Sequence, residues 1–136
     1  MIQIYLAGGA FEVSYRKFAK KEYGHKFKLI DPIAENGAIV DLNLNKIIHN
    51  STEKEIVELD KHLIDNSDIL VAYINNYSAG TSMEILYSFE KPMPTYLIVT
   101  PGKNFENDIW LKYHSTKIFF GINECFDYIV NQMELE

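Results

Sequence analysis

The sequence predicts an α/β fold built on a doubly wound parallel sheet, and two observations carry that expectation. Short apolar runs alternate with amphipathic stretches along the whole chain, the pattern of strands joined by helical crossovers. Two of these runs, residues 2–7 and 68–74, lead into glycine-containing turns that open helix-like stretches. Open parallel sheets hold their ligand sites at such strand ends. The 136 residues are expected to form a single domain, 1–136, with five strands and its own core.

Each element has a local reason. Residues 2–7 read as a buried strand, and 12–23 as a helix ended by Gly24. Residues 26–30 read as a second strand, closed by Asp31-Pro32. Residues 33–50 are rich in Asn without a clear period and read as an irregular excursion. Residues 52–65 form a helix with Ser51 as its expected N-cap. A central strand over 68–74 and a helix over 81–90, stopped before Pro92, come next. Strands over 95–99 and 117–120 and a helix over 122–134 complete the series.

Composition excludes several classes. A net charge of −6 with a single arginine, Arg16, offers no basic stripe for a nucleic-acid polymer. A small nucleotide stays possible, because backbone N–H groups bind phosphate without arginine. No apolar run nears the ~18 residues that span a membrane, and the first residues read as a strand rather than a signal peptide. With one cysteine, Cys125, no internal disulfide forms, so a reducing compartment, the cytoplasm, is expected. His25, His49, His62 and His114 lack metal-site spacing; no metal or organic cofactor is expected.

Two carboxylates stand out. On a helical wheel of residues 53–65, Ile56, Val57, Leu59, Leu63 and Ile64 form one face, and Asp60 falls near its middle. An unpaired charge there is costly to bury, so Asp60 either lines a cleft or has a dedicated partner. In a half-apolar cleft it acquires a raised pKa suited to proton donation. Glu84 follows the strand 68–74 and the small polar loop Ser78-Ala79-Gly80-Thr81-Ser82. One reading makes Thr81-Ser82-Met83-Glu84 a capping box with Thr81 as N-cap. The other makes Glu84 the reacting group of an enzyme acting on a small molecule, beside a loop fit for a phosphate or a sugar hydroxyl. The turn Leu6-Ala7-Gly8-Gly9-Ala10-Phe11 is expected beside that loop, with Gly8 and Gly9 letting backbone approach a ligand. Tyr5 is either a core tyrosine or a hydrogen-bond donor to Glu84.

Taken in order, three stretches resemble the nucleoside 2-deoxyribosyltransferase family: Ile4-Tyr5-Leu6-Ala7-Gly8-Gly9, then Leu59-Asp60 through Asn66-Ser67-Asp68-Ile69, then Gly80-Thr81-Ser82-Met83-Glu84-Ile85-Leu86-Tyr87. The resemblance covers nearly the whole chain. It implies a three-layer flavodoxin- or Rossmann-like fold with strand order 2-1-3-4-5, and cleavage of the N-glycosidic bond of a 2′-deoxynucleoside. Glu84 matches the nucleophile that forms a covalent deoxyribosyl-enzyme, in the manner of a retaining glycosidase. Asp60 matches the aspartate that contacts the leaving base and helps protonate it, and Tyr5 the tyrosine that positions the nucleophile. Gly8, Gly9, Phe11, Ser78 and Gly80 fall where the family binds substrate. A second nucleobase then takes the sugar.

One position departs from that pattern. The family often carries an acid six residues before the nucleophile; here that residue is Ser78. A serine there looks more like the related deoxynucleoside 5′-monophosphate N-glycosidases, which pass the sugar to water, yet the longer Gly- and Arg-bearing first loop of those hydrolases is absent. The resemblance also implies a homo-oligomer in which a neighbouring subunit completes the pocket through the segment 113–116, with Ser115 or Thr116 as the donor. The nine Tyr and eight Phe suit an interface, base stacking or a large aromatic core equally. Three functions follow: sugar transfer between bases, hydrolysis of a 5′-monophosphate, or non-catalytic nucleotide binding on the same fold.

Overall fold

The computed structural model describes residues 1–134. The elements in chain order are β1 (Gln3–Gly8), α1 (Val13–Tyr23), β2 (Lys28–Ile30), α2 (Pro32–Glu35), β3 (Ile39–Asp41), β4 (Lys46–Ile48), α3 (Glu53–Asp65) and β5 (Ile69–Ile74). There follow α4 (Ala79–Glu90), β6 (Thr95–Val99), a 3₁₀ turn (Phe105–Asn107), α5 (Ile109–Tyr113), β7 (Lys117–Phe119) and α6 (Ile122–Glu134). Five strands make one parallel sheet in the order β2-β1-β5-β6-β7. With β3 and β4 left out of the count, that is the expected order 2-1-3-4-5.

Helices cover both faces, which is why the central strands are apolar throughout rather than alternating. Ile4 and Leu6 of β1, with Val71 of β5 and Ile98 of β6, pack on α1 and α6 around Tyr15, Ala19, Phe126 and Ile129. Tyr5 and Ala7, with Leu70, Ala72, Leu97 and Val99, point to the other face, against Ile64 of α3 and Ile85 of α4. This two-residue period decides the placement of Tyr5: its side chain lies on the α3–α4 face and is fully buried there. After β2 the chain crosses to the far side of β1 and enters β5, so the strand order reverses between β1 and β5. A crevice opens at the carboxyl ends of those two strands.

Three local expectations are corrected. Residues 33–50 are not irregular. Asp31 caps α2 by accepting from Ile33 N and Ala34 N, with Pro32 opening the helix. β3 and β4 then form an antiparallel hairpin that pairs Ile39 with Ile48 and Asp41 with Lys46. Strands of three residues are too short to show a period. The N-cap of α3 is Thr52, not Ser51; Thr52 and Glu55 bond each other's backbone N–H groups in a capping box. Helix α4 begins at Ala79, with Ser78 as N-cap, so Thr81 and Glu84 are not a capping pair. Gly80, read as a turn, lies inside the first helical turn, and the small residues beside it hid the true start. The 3₁₀ turn and α5 between β6 and β7 were not expected; Asp108 caps α5 by accepting from Leu111 N.

Candidate active site

Helices α3 and α4 and the end of β1 enclose a cleft of about 440 Å³, and Asp60, Glu84, Gly8, Ser78 and Gly80 all line it. Val57, Lys61, Ile64, Tyr87 and Glu90 are among the other wall residues. The two carboxylates come from different helices, so the sheet that spaces α3 and α4 also spaces them. Gly8 ends β1 at φ +151°, and a Cβ there would stand 3.1 Å from Tyr73 O. The backbone forms this rim of the cleft, since a side chain there would be strained and would crowd Tyr73 O.

Glu84 lies two turns into α4, half-buried, and the fully buried Tyr5 hydroxyl donates to its Oε2. Burial raises Glu84 from 4.5 to about 7; the Tyr5 hydrogen bond works against that rise, Asp60 adds to it and Arg16 opposes it. Burial first, and then the Glu84 and Asp60 carboxylates, push the Tyr5 phenol far above its ordinary value. Tyr5 therefore keeps its proton at any working pH and stays a donor. Asp60 is half-buried, and its Oδ1 accepts from Asn36 Nδ2 at 2.7 Å. Burial raises its pKa, opposed by the Asn36 hydrogen bond and by Arg16.

Arg16 is itself buried, 2% exposed. Its guanidinium donates to Gly8 O at 2.8 Å, Gly9 O at 3.0 Å and Leu6 O at 3.4 Å, and pairs with Asp31 Oδ1 at 3.5 Å. These partners offset the cost of burying the charge and fix the loop after β1. A second tie crosses the strand ends: Asn75 Nδ2 donates to Glu12, while Thr100 and Lys103 donate to Asn75. Ser78 Oγ accepts from Thr81 N at 3.3 Å and Thr81 Oγ1 at 3.0 Å, so its own proton is left for another acceptor.

Other candidates lie apart. Gly9 and Phe11 do not line the cleft; Gly9 serves Arg16 through its carbonyl, and Phe11 is 37% exposed. Ser115 donates to Lys112 O, and Thr116 Oγ1 accepts from Thr95 N at the start of β6, the amino end of the sheet. Within one chain these two residues are not part of the cleft. Asn36, Lys61 and Arg16 are the neighbours that sequence reasoning missed. Lys61 follows Asp60 directly and was readable as rim; nothing in the unperiodic stretch around Asn36 marks it. Among the described residues, no three His, Cys, Asp or Glu side chains cluster to hold a metal ion, and no helix is long and apolar enough to cross a membrane.

No family model matches the chain, and no curated protein sequence does. Solved structures do match. A conserved protein of Enterococcus faecalis V583 superimposes with a TM-score of 0.70 at 21% identity, over 97% of this chain and 99% of that one. The 2-deoxyribosyltransferase of Bacillus psychrosaccharolyticus gives 0.71 at 18% identity, over 90% and 89%. A CMP N-glycosidase of Clostridium botulinum gives 0.61 at 14% identity, over 96% and 98%. The fold is one that a 2-deoxyribosyltransferase and an N-glycosidase share. At these identities the likeness establishes the fold.

Raised acidity constants have a stability consequence. Glu84 binds its proton more tightly folded than unfolded, so between 4.5 and about 7 the folded state holds the extra proton. The resulting stabilisation is complete below 4.5 and is lost as pH rises through about 7. Ionising Glu84 in place then costs about 3 kcal/mol. Glu84→Gln cannot ionise. Its melting temperature should exceed that of the wild type by several degrees at pH 8 and by little at pH 4, measured by calorimetry. Equal differences at both pH values would contradict the buried-carboxylate reading.

Proposed function

We propose that this protein cleaves the N-glycosidic bond of 2′-deoxynucleosides through a covalent deoxyribosyl-Glu84 intermediate and transfers the sugar to another nucleobase. The observation that carries this reading is the opening of the Glu84 and Asp60 carboxyls on one cleft, with Tyr5 donating to Glu84. The Glu84 carboxylate forms a bond to the anomeric carbon as the carbon–nitrogen bond breaks, and the electron pair leaves with the base. Asp60, on the facing helix, meets the departing base and supplies its proton. The acceptor base then attacks the same carbon, its N–H proton passes to the Asp60 carboxylate, and the Glu84 carboxylate is freed. Tyr5 holds the nucleophile's second oxygen and favours its ionised form. Gly8 and Ser78 bound the sugar side of the cleft.

The second reading is a 5′-monophosphate substrate with water as acceptor. Ser78 favours it: the hydroxyl has a free proton at the start of α4, where backbone N–H groups welcome an anion. Arg16 does not help hold that phosphate, since its donors are committed to backbone carbonyls and Asp31.

A homo-oligomer completes the proposal. Beside the cleft, across the first turns of α4, a groove of about 390 Å³ runs between α4 and α5, lined by Tyr77, Met83, Trp110, Leu111 and His114. Tyr77 and Trp110 are 82% and 73% exposed, a contiguous aromatic face of the kind that subunits cover. The segment 113–116 adjoins it and would approach a neighbour's cleft.

Thymidine with adenine should yield deoxyadenosine by chromatography, and Glu84→Ala should lower that rate by at least about 1000-fold. Free thymine from dTMP without an acceptor would favour the hydrolase, and an unchanged nucleotide affinity without turnover would favour a binding module. Because the nucleophile must be ionised, turnover should rise with pH through about 7. Tyr5→Phe should move that limb to higher pH and cost about tenfold at the plateau; an unmoved limb would remove Tyr5 from the mechanism. In light scattering, the wild type should exceed the 15.8 kDa monomer mass and Trp110→Glu should approach it; a monomeric wild type would refute the shared site.

A further inference from the structure

The substrate cleft leaves one question of chemistry open: what fixes the Asp60 carboxylate, which forms no ion pair among the described residues. We propose that Asn36 is the positioning residue of Asp60, held at its post by a strut that starts at buried Arg16 and runs through Asp31 and α2. This rests on the reading of Asp60 as the group that meets the leaving base.

The strut is continuous. Arg16 pairs with Asp31 Oδ1 at 3.5 Å, and Lys20 Nζ stands 3.7 Å from Oδ2. The same Asp31 oxygen Oδ1 accepts from Ile33 N at 3.0 Å and Ala34 N at 3.4 Å, which anchors the first turn of α2. Asn36 closes that turn, its N–H bonded to Pro32 O at 3.0 Å. Only its side chain leaves the turn, and Nδ2 reaches Asp60 Oδ1 at 2.7 Å. The amide orientation follows from chemistry: an amide oxygen facing a carboxylate oxygen would repel it, whereas NH₂ donates. At its other end Arg16 holds the carbonyls of Gly8 and Gly9. A single buried charge thus ties the glycine rim of the cleft to the turn that carries Asn36.

The consequence for Asp60 is specific. Oδ1 is committed to Asn36, and Oδ2 makes no hydrogen bond among the described residues. The carboxyl therefore presents one oxygen, Oδ2, for exchange of a proton or a hydrogen bond with a base. The donor on Oδ1 also favours the ionised form and limits the rise that burial imposes. The charges nearby act on the same balance: Arg16 of α1 favours ionisation of Asp60, the Asp60 charge in turn raises Glu84 of α4, and the Tyr5 phenol stays neutral. Lys61, Tyr87 and Glu90 share the cleft wall.

Asn36 has ordinary helical backbone angles, so Asn36→Ala is compatible with the fold; a ¹H–¹⁵N spectrum checks this. Carbon-13 titration of Asp60 in the free protein should show a rise of about one pH unit in Asn36→Ala. In Asn36→Asp, which places a second carboxyl against Oδ1, the rise should be larger. In turnover, Asn36→Ala should lower kcat about tenfold with KM changed less than about twofold. An Asp60 titration unchanged in both variants would overturn the proposal. The titration needs no substrate, so a wild type inactive on every nucleoside would refute the enzymatic reading while the Asp60 shift still decides the role of Asn36.

Discussion

A half-buried carboxylate governs the organisation of this molecule. Glu84 must reach the crevice at the sheet's reversal point, yet the surrounding walls, Ile64 and the apolar face of the sheet, disfavour its charge. The conflict is moderated by one hydroxyl. Tyr5 sits in the middle of β1 with its ring in the core and its phenol pointing at Glu84, and its own burial keeps the donor protonated. Glu84 is thereby held near neutrality in its titration rather than driven to permanent protonation. A carboxyl in that state exchanges its proton near neutral pH.

Around that pair, the protein stiffens the loops rather than the helices. The loop after β1 hangs on Arg16, and the loops after β5 and β6 are joined through Asn75, Thr100 and Lys103. These are the segments that a flexible connection would let drift, and they form the carboxyl-end rim of the sheet. The α3–α4 pair is tied further along by Asp65, which accepts from Tyr87 at 2.8 Å and meets Lys91 at 2.5 Å. That bridge is exposed and adds little stability on its own; the sheet beneath sets the spacing of the helices that carry Asp60 and Glu84.

The arrangement trades stability for chemistry. Converging two carboxylates in a half-apolar cleft, and burying an arginine beneath them, are unfavourable unless every partner is in place. The parallel sheet supplies the surplus. Its central strands are buried on both faces, with Phe126 and Phe27 filling one side and Ile85 and Ile64 the other. Such a scaffold tolerates an unfavourable arrangement at the carboxyl ends of its strands.

The sequence alone determined the layered α/β plan, because apolar runs covered on both faces and amphipathic helices write their periods directly into the chain. It marked Asp60 as anomalous, since an acid amid Ile56, Val57, Leu63 and Ile64 breaks that period, and it marked Glu84 by the strand and turn before it. Short-range elements escaped it. Three residues of β3 or four of α2 show no period, and small polar residues around Ser78 permit several caps, which only the backbone angles decide. The tertiary structure alone decided that Asn36, 24 residues away, meets Asp60, and that Arg16 faces inward to the Leu6 and Gly8 carbonyls of β1. Those contacts join segments that the sheet order brings together, and nothing in local sequence encodes a distance between chain-remote groups.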